Sequence, residues 1–351
     1  MNLKRLLFFT TVLLLIISGS LQAQVGGSSV YSFLDVPASA RVAALGGTFI
    51  SVKDDDINSA LQNPALLNPS MQKHLSFSGV SYFDKVKFAD VAYAYKLNDW
   101  GTFFTAMHYA HYGDFTETNE AGEVLGTFEA ADMALMIGYS KQLNERFSLG
   151  STLKIIYSDY YLYNSFGLAA DIGATYYDSA NQVTVSVVGR NIGAQLDGYV
   201  SGNNEPLPIE IQAAVSKRLQ HVPFRINLTA RHLEKFDITY IDPEDPANFD
   251  PITGEQHIQE ISFGEKLARH FIIGGEMLFS QHFHLRIAYN FQRRQEMLVE
   301  THKQTVGFSW GFGLRISKFQ LGYGRASYHV AGASNHFTIT TNLADFYAKK
   351  N

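Results

Sequence analysis

Two Ser-x-x-Lys tetrads are the first residues of this chain whose spacing could do chemistry. Ser70-Met71-Gln72-Lys73 and Ser151-Thr152-Leu153-Lys154 both match the nucleophile motif of penicillin-recognising enzymes. That chemistry needs the Ser at a helix start, with Ser-Asp-Asn and Lys-Thr-Gly partners elsewhere. Neither partner occurs. Ser151 also falls in an alternating stretch, which sends Ser151 and Lys154 to opposite faces. His108 and His111 diverge for the same reason and cannot readily share a zinc ion. His282 and His284 sit at a turn and read as interfacial. Asp54-Asp55-Asp56 lacks the Gly and the closing Glu of a calcium loop. Placed before Ile57, it reads as a capped helix start with acidic residues at the positive end. The acidic, Pro-rich stretch Asp242–Glu255 reads as a solvated outer loop. The sequence therefore predicts no catalytic set, no cofactor and no metal site, and a chain that is not an enzyme. Long loops are where a partner would bind. Tyr199, Tyr240 and Phe249 are their candidate aromatic anchors.

Composition narrows the class of element that carries these residues. The 351 residues include 13% aromatics, 28 Gly and no Cys, and only 17% are charged. Soluble domains carry about 25% charged residues. A net charge of -5 with no basic cluster argues against a nucleic-acid partner. Without Cys there is no disulfide, no thiol chemistry and no lipoprotein anchor. Lys4 and Arg5, an apolar Leu6–Ile17 core and Leu21-Gln22-Ala23 form a secretory signal peptide over residues 1–23. Its removal takes the net charge from -5 to -7. No later segment has the roughly 18 uninterrupted apolar residues of a spanning helix.

From His74 to the C-terminus the pattern has period two, which argues for strands. One face of successive runs carries Val91, Tyr93 and Tyr95; Met133, Leu135 and Ile137; Leu149, Leu153 and Ile155; Val183, Val185 and Val187; and Ile209, Ile211 and Val215. The last third continues with Leu285, Ile287, Tyr289 and Phe291, then Val306, Phe308, Trp310 and Phe312. The opposite face carries Asp90, His108, Asp132, Lys154, Asp171, Arg190, Glu210, Arg225, Arg231, Arg286 and Arg315. A charge facing lipid near the midplane costs roughly 2–4 kcal/mol, so this segregation fits a membrane barrel. Backbone groups in lipid must all be paired, which forces the sheet to close. Short connections such as Asn98–Gly101 and Gln142–Arg146 alternate with longer ones. The long set is Tyr112–Glu129, Ile192–Pro208, Glu234–Ala268, Arg294–Lys303 and His329–Asn335, joined by short members near Asp84 and Tyr160. That is the pattern of periplasmic turns and outer loops. The fold predicted is all-β: a transmembrane antiparallel barrel of about 14 strands over residues 74–351. Residues 24–73 do not alternate, with helix-like stretches at Ala38–Leu45 and at Ile57–Leu67, the latter broken by Pro64. A barrel this wide leaves a lumen that is water-filled or plugged, and residues 24–73 are the candidate hatch. The environment expected is the outer membrane and its lipid.

Four stretches resemble the PorQ family, within the wider PorV/PorQ group of type IX secretion components. They are GGSSVYSFLDVPASARVAALGG at Gly26–Gly47, DINSALQNPALLNP at Asp56–Pro69, GRNIGAQLDGY at Gly189–Tyr199 and LPIEIQAAVSKRL at Leu207–Leu219. The resemblance implies a FadL-like barrel of fourteen strands with an N-terminal hatch. It also implies a part in surface attachment of cargo, with a PorZ-like surface protein as partner. On that reading the barrel docks an exported partner through its outer loops. A different reading is a FadL-like transporter of hydrophobic small molecules. Phe88, Phe104, Ile156 and Ile272, all on the lumen face, would line its path.

Overall fold

The computed structural model describes residues 29–98, 100–239, 261–297, 306–329 and 332–347. Within them fourteen strands close into one antiparallel barrel, each paired with its sequence neighbours and the first with the last. They are β1 His74–Ser81, β2 Lys87–Leu97, β3 Gly101–Thr118, β4 Val124–Gln142, β5 Phe147–Tyr160, β6 Tyr163–Asp178 and β7 Val183–Asp197. The second half is β8 Glu210–Arg218, β9 Phe224–Ala230, β10 Phe271–Met277, β11 Phe283–Asn290, β12 Phe308–Ile316, β13 Phe319–His329 and β14 Gly332–Asn342. Closure runs in one register, from His74 opposite Asn342 to Ser81 opposite Asn335.

Alternation places the side chains as the sequence pattern requires. Ile137, Ile172 and Ile287 are 53%, 59% and 55% exposed on the outer wall. Lys154, Asp171, Glu210 and Glu276 between such positions are buried in the lumen. Apolar residues outside and ions inside make this an integral outer-membrane barrel, because only a closed sheet leaves no backbone group unpaired in lipid. Replacing Ile137 with Arg on the outer wall is expected to cost about 2–4 kcal/mol of barrel stability. Urea unfolding in phospholipid vesicles reads this, and Thr152→Ala on the lumen side serves as the small-effect control.

Several boundaries differ from those the sequence suggests. Most of Tyr112–Glu129 is strand, and Ile192–Pro208 is strand as far as Asp197, since β3, β4 and β7 run past the apolar belt. Alternation there is weak because both faces meet water. The outer connection at His329–Asn335 shrinks to residues 330–331 between paired strands. Phe291 does not extend β11: Asn290 caps a short helix by accepting from the Arg293 amide. Val306 precedes β12 and is buried, and Ile209 lies before β8. Arg231 follows β9, and Arg315 is exposed near the turn after β12. The signal peptide and residues 24–28 lie outside the described residues.

The lumen is filled by residues 29–73. They form two helices, α1 Ala40–Ala44 and α2 Ile57–Gln62, with single turns at Ser32–Asp35, Pro64–Leu66 and Pro69–Met71. The Asp56 side chain accepts from the Asn58 amide at 3.0 Å, the cap expected of the acidic run. Asn63 and Asn68 cap the two Pro-led turns in the same way. Two glycines let the hatch touch the wall. A Cβ on Gly324 would stand 2.3 Å from the Ala40 carbonyl oxygen, and one on Gly150 2.3 Å from the Pro64 carbonyl carbon. Backbone contact that close excludes any side chain.

Candidate functional site

The short helix α1 places one cation, Arg41, against the inner wall. Its neighbours on the helix are Ala40, Val42, Ala43 and Ala44, all buried. The Ala40 amide donates to Thr338 Oγ1 at 2.9 Å, and Ser309 Oγ donates to the Ala44 carbonyl at 3.2 Å, so the wall fixes the helix at both ends. Arg41 then reaches Glu276 with two nitrogens, Nε to Oε1 and Nη2 to Oε2, each at 3.0 Å. The same guanidinium meets Asp56 at 3.1 Å and Asp54 at 2.8 Å, and lies 4.6 Å from the Phe49 ring centroid. Glu276 also accepts from Arg225 at 2.7 Å and from Arg286 at 2.9 Å. Three guanidinium groups and three carboxylates thus close a network between hatch and wall. Charge-assisted, bidentate bonds are the strong ones, and each partner here is needed to offset the burial of the others. A cavity of about 460 Å³ opens beside it, bounded by α1, the acidic run and the ends of β11–β14, with Arg218, Arg315 and His284 on its walls.

A second network lies across the lumen. Lys154 Nζ is 2.8 Å from Asp171 Oδ2 and donates to Asn191 Oδ1 at 2.7 Å, and the Asn191 amide donates to Asp171 Oδ1 at 2.8 Å. Arg190 donates to Gln62 Oε1 of α2 at 3.2 Å. Nearer the mouth, Arg231 holds Glu210 through two bonds of 2.6 and 3.0 Å. Asp132 accepts from Tyr112 at 2.5 Å, from Tyr160 at 2.8 Å and from Ser158.

The outer half of the lumen also holds an apolar seat. Phe88, Ala110, Ala134, Ile156 and Ala169 line it from β2–β6, with Leu207 above. Val30, Tyr31, Phe33, Leu34 and Ala38 of the hatch fill it. Phe33 stacks on His108 with centroids 5.4 Å apart, while His108 bonds the Phe33 carbonyl and Asp90. Polar bonds to the wall also hold this segment: Val30 N donates to the Pro206 carbonyl at 3.0 Å, Tyr31 meets Ser165 at 2.5 Å, His108 meets the Phe33 carbonyl at 3.0 Å and Arg190 donates to the Leu34 carbonyl at 3.4 Å.

The lining residues proposed from sequence divide accordingly. Phe88 and Ile156 line the seat. Phe104 belongs to a separate cluster with α2, and Ile272 packs near Gly46. Tyr199 stacks on Tyr160 at 5.2 Å at the lumen mouth, and burial pushes its phenol up to about 12. It packs against the seat and is only half-exposed. Tyr240, Phe249 and the loop Asp242–Glu255 lie outside the described residues. Ser70 bonds Asn68 within a Pro-led turn, and Ser151 faces outward while Lys154 is buried. His108 is buried in the lumen while His111 sits on the outer wall, so the two do not meet. Sequence reasoning missed Glu276 and Arg41. Glu276 alternates with Ile273, Gly275 and Met277 in β10 and was legible as lumen-facing. Nothing in the sequence pairs it with Arg41, 235 positions away.

No protein-family model and no curated protein matches the sequence. Solved structures do match. The Ralstonia pickettii toluene transporter TbuX superposes with a TM-score of 0.51 at 9% identity, over 87% of this chain and 97% of that one. The Pseudomonas putida toluene transporter TodX gives 0.51 at 11% identity, over 88% and 99%. A Pseudomonas aeruginosa FadL homologue gives 0.46 at 11% identity, over 91% and 99%. At these identities the likeness to TbuX and TodX is one of fold alone.

Proposed function

We propose that this barrel is a gated transporter of small hydrophobic molecules, closed by its own hatch. The observation that carries the reading is the apolar seat at the outer end of the lumen. A water-filled pore has no use for Phe88, Ile156, Ala134 and Ala169 on its lining. A hydrophobic solute entering from outside would displace the Phe33 and Leu34 side chains, whose contacts with the seat are apolar or aromatic, while their carbonyls are held by His108 and Arg190. The two toluene transporters of the same fold support this class of solute. Saturable binding of naphthalene to the detergent-solubilised barrel, read by its fluorescence, is the test. Phe33→Ala is expected to tighten binding severalfold by opening a methyl-lined space, and Ile156→Glu to abolish it. Absence of saturable binding in the unaltered protein would end the transport reading.

A second reading follows the PorQ-like stretches: the barrel holds an exported PorZ-like protein at the cell surface for cargo attachment. The structural observation on its side is that β3 and β4 rise above the rest of the barrel rim. On this reading, deleting the ribbon residues 114–128 with the barrel intact releases the surface partner into the medium. Full retention of that partner on cells counts against it.

A further inference from the structure

The hairpin formed by the outer ends of β3 and β4 runs on beyond the backbone pairing of the strands that flank it, touching its neighbours through side chains such as Tyr161 on Glu117 at 2.8 Å. The pairing of β2 with β3 stops at Lys87 opposite His111, and that of β4 with β5 begins only at Ala130 opposite Tyr160. Between these limits, Asp114–Thr118 and Val124–Glu129 pair only with each other. A two-stranded ribbon alone in water is marginal in stability. Both of its edges present unpaired backbone groups, the feature proteins normally bury, blunt or charge.

The two edges differ. The β3 edge carries Asp114, Phe115, Thr116, Glu117 and Thr118, with Lys85 reaching Asp114 at 4.0 Å and Tyr161 donating to Glu117 at 2.8 Å. The β4 edge is apolar: Val124 and Leu125 are 68% and 61% exposed, and Leu162 of the neighbouring turn is 74% exposed. An aromatic stack stiffens the ribbon beside it, with Phe115–Phe128 centroids 5.4 Å apart and Phe128–Tyr161 4.6 Å apart. Asp114, Glu117, Glu120, Glu123 and Glu129 surround these apolar groups, and neither Lys nor Arg occurs from Tyr112 to Ser140. A surface this acidic does not suit lipid tails.

We infer that the β4 edge, Val124–Glu129, is a docking strand for a protein partner that adds an extended segment alternating apolar and basic residues. Strand addition would pair the free edge, cover Val124 and Leu125, and set basic side chains among the five acids. The inference is independent of the transport reading and rests on the docking one, for which it names the surface and the partner's chemistry.

The experiment places a benzophenone photocrosslinker at Leu125 of the full chain in cells, with a second at Tyr199, and then purifies the captured protein for binding to the barrel in nanodiscs. One protein adduct is expected from Leu125. Its purified form should bind about tenfold more weakly to the Glu117→Lys, Glu120→Lys, Glu123→Lys variant and lose affinity steeply with salt. Heat-modified gel mobility confirms that the variant barrel is folded. An adduct only with lipopolysaccharide, only with a second copy of the chain, or with a protein whose binding ignores the charge reversal overturns the inference. An adduct from Tyr199 but not Leu125 moves the docking site elsewhere while the docking reading stands. Adducts from neither position remove both.

Discussion

Replacing Glu276 with Ala is expected to unlatch the hatch while the barrel stays folded. The substitution leaves Arg41, Arg225 and Arg286 facing one another without the carboxylate that joins them. Removing one partner of a buried ion network costs roughly 3–5 kcal/mol, because the remaining charges are left uncompensated. Arg41 keeps Asp54 and Asp56 of the hatch, and of these two Asp54 still reaches the wall, at Arg225 3.6 Å away, so the loss weakens the hatch–wall joint. The cavity beside the network gives water a route to the freed charges. The expected readout is frequent large conductance steps in planar bilayers, where the unaltered protein is quiet, together with faster proteolysis of the hatch. Arg41→Ala should act in the same direction but less strongly, since Glu276 retains two cations. A Glu276→Ala protein that is as quiet as the parent would show that packing and the remaining hatch–wall bonds hold the hatch without this carboxylate.

Lys154→Met is the second large effect. Asp171, fully buried, then keeps the Asn191 amide but loses its only ion partner among the described residues. A loss of about 3–5 kcal/mol follows from the same reasoning. Pairing it with Asp171→Leu removes both charges, and replacing a buried pair by apolar groups is often neutral. The double variant should therefore recover most of the loss in a double-mutant cycle of unfolding free energies. Additive losses would mean that the two side chains are not coupled. Asn191 links this pair to the hatch by donating to Asp35 at 3.4 Å, and to the connection before β8 by donating to the Pro208 carbonyl at 3.0 Å, so hatch proteolysis is expected to quicken too.

The two substitutions test different halves of the closure. Glu276 holds α1 against β9–β11, while Lys154 stands under the segment that fills the apolar seat. If transport needs the hatch to move as one body, both should raise naphthalene passage. If only residues 30–38 yield, Lys154→Met acts alone.

Legibility in the sequence followed the strength of the alternation. In β5, Phe147, Leu149, Leu153 and Ile155 alternate with Ser148, Thr152 and Lys154, because one face meets lipid and the other a polar interior. Transfer energies differ by kilocalories between those faces, so the pattern is written into residue type. Above the belt both faces meet water, and the sequence from Tyr112 to Glu129 gave no strand signal although it forms a ribbon. The helix start at Asp56 was readable because a cap is a local bond between residues two apart.

What the sequence alone determined was the lipid-facing and lumen-facing residues, the near number of strands and the presence of a non-alternating plug. These depend on solvent contact at each position, which a side chain's own chemistry records. Tertiary structure decided which ions meet, what fills the lumen and which edge stays open. Arg41 finds Glu276 only because barrel closure brings β10 round to the hatch, and the seat is apolar only because five strands and residues 30–38 converge there. Such pairings join residues hundreds of positions apart, and nothing in either residue's neighbourhood along the chain encodes the other.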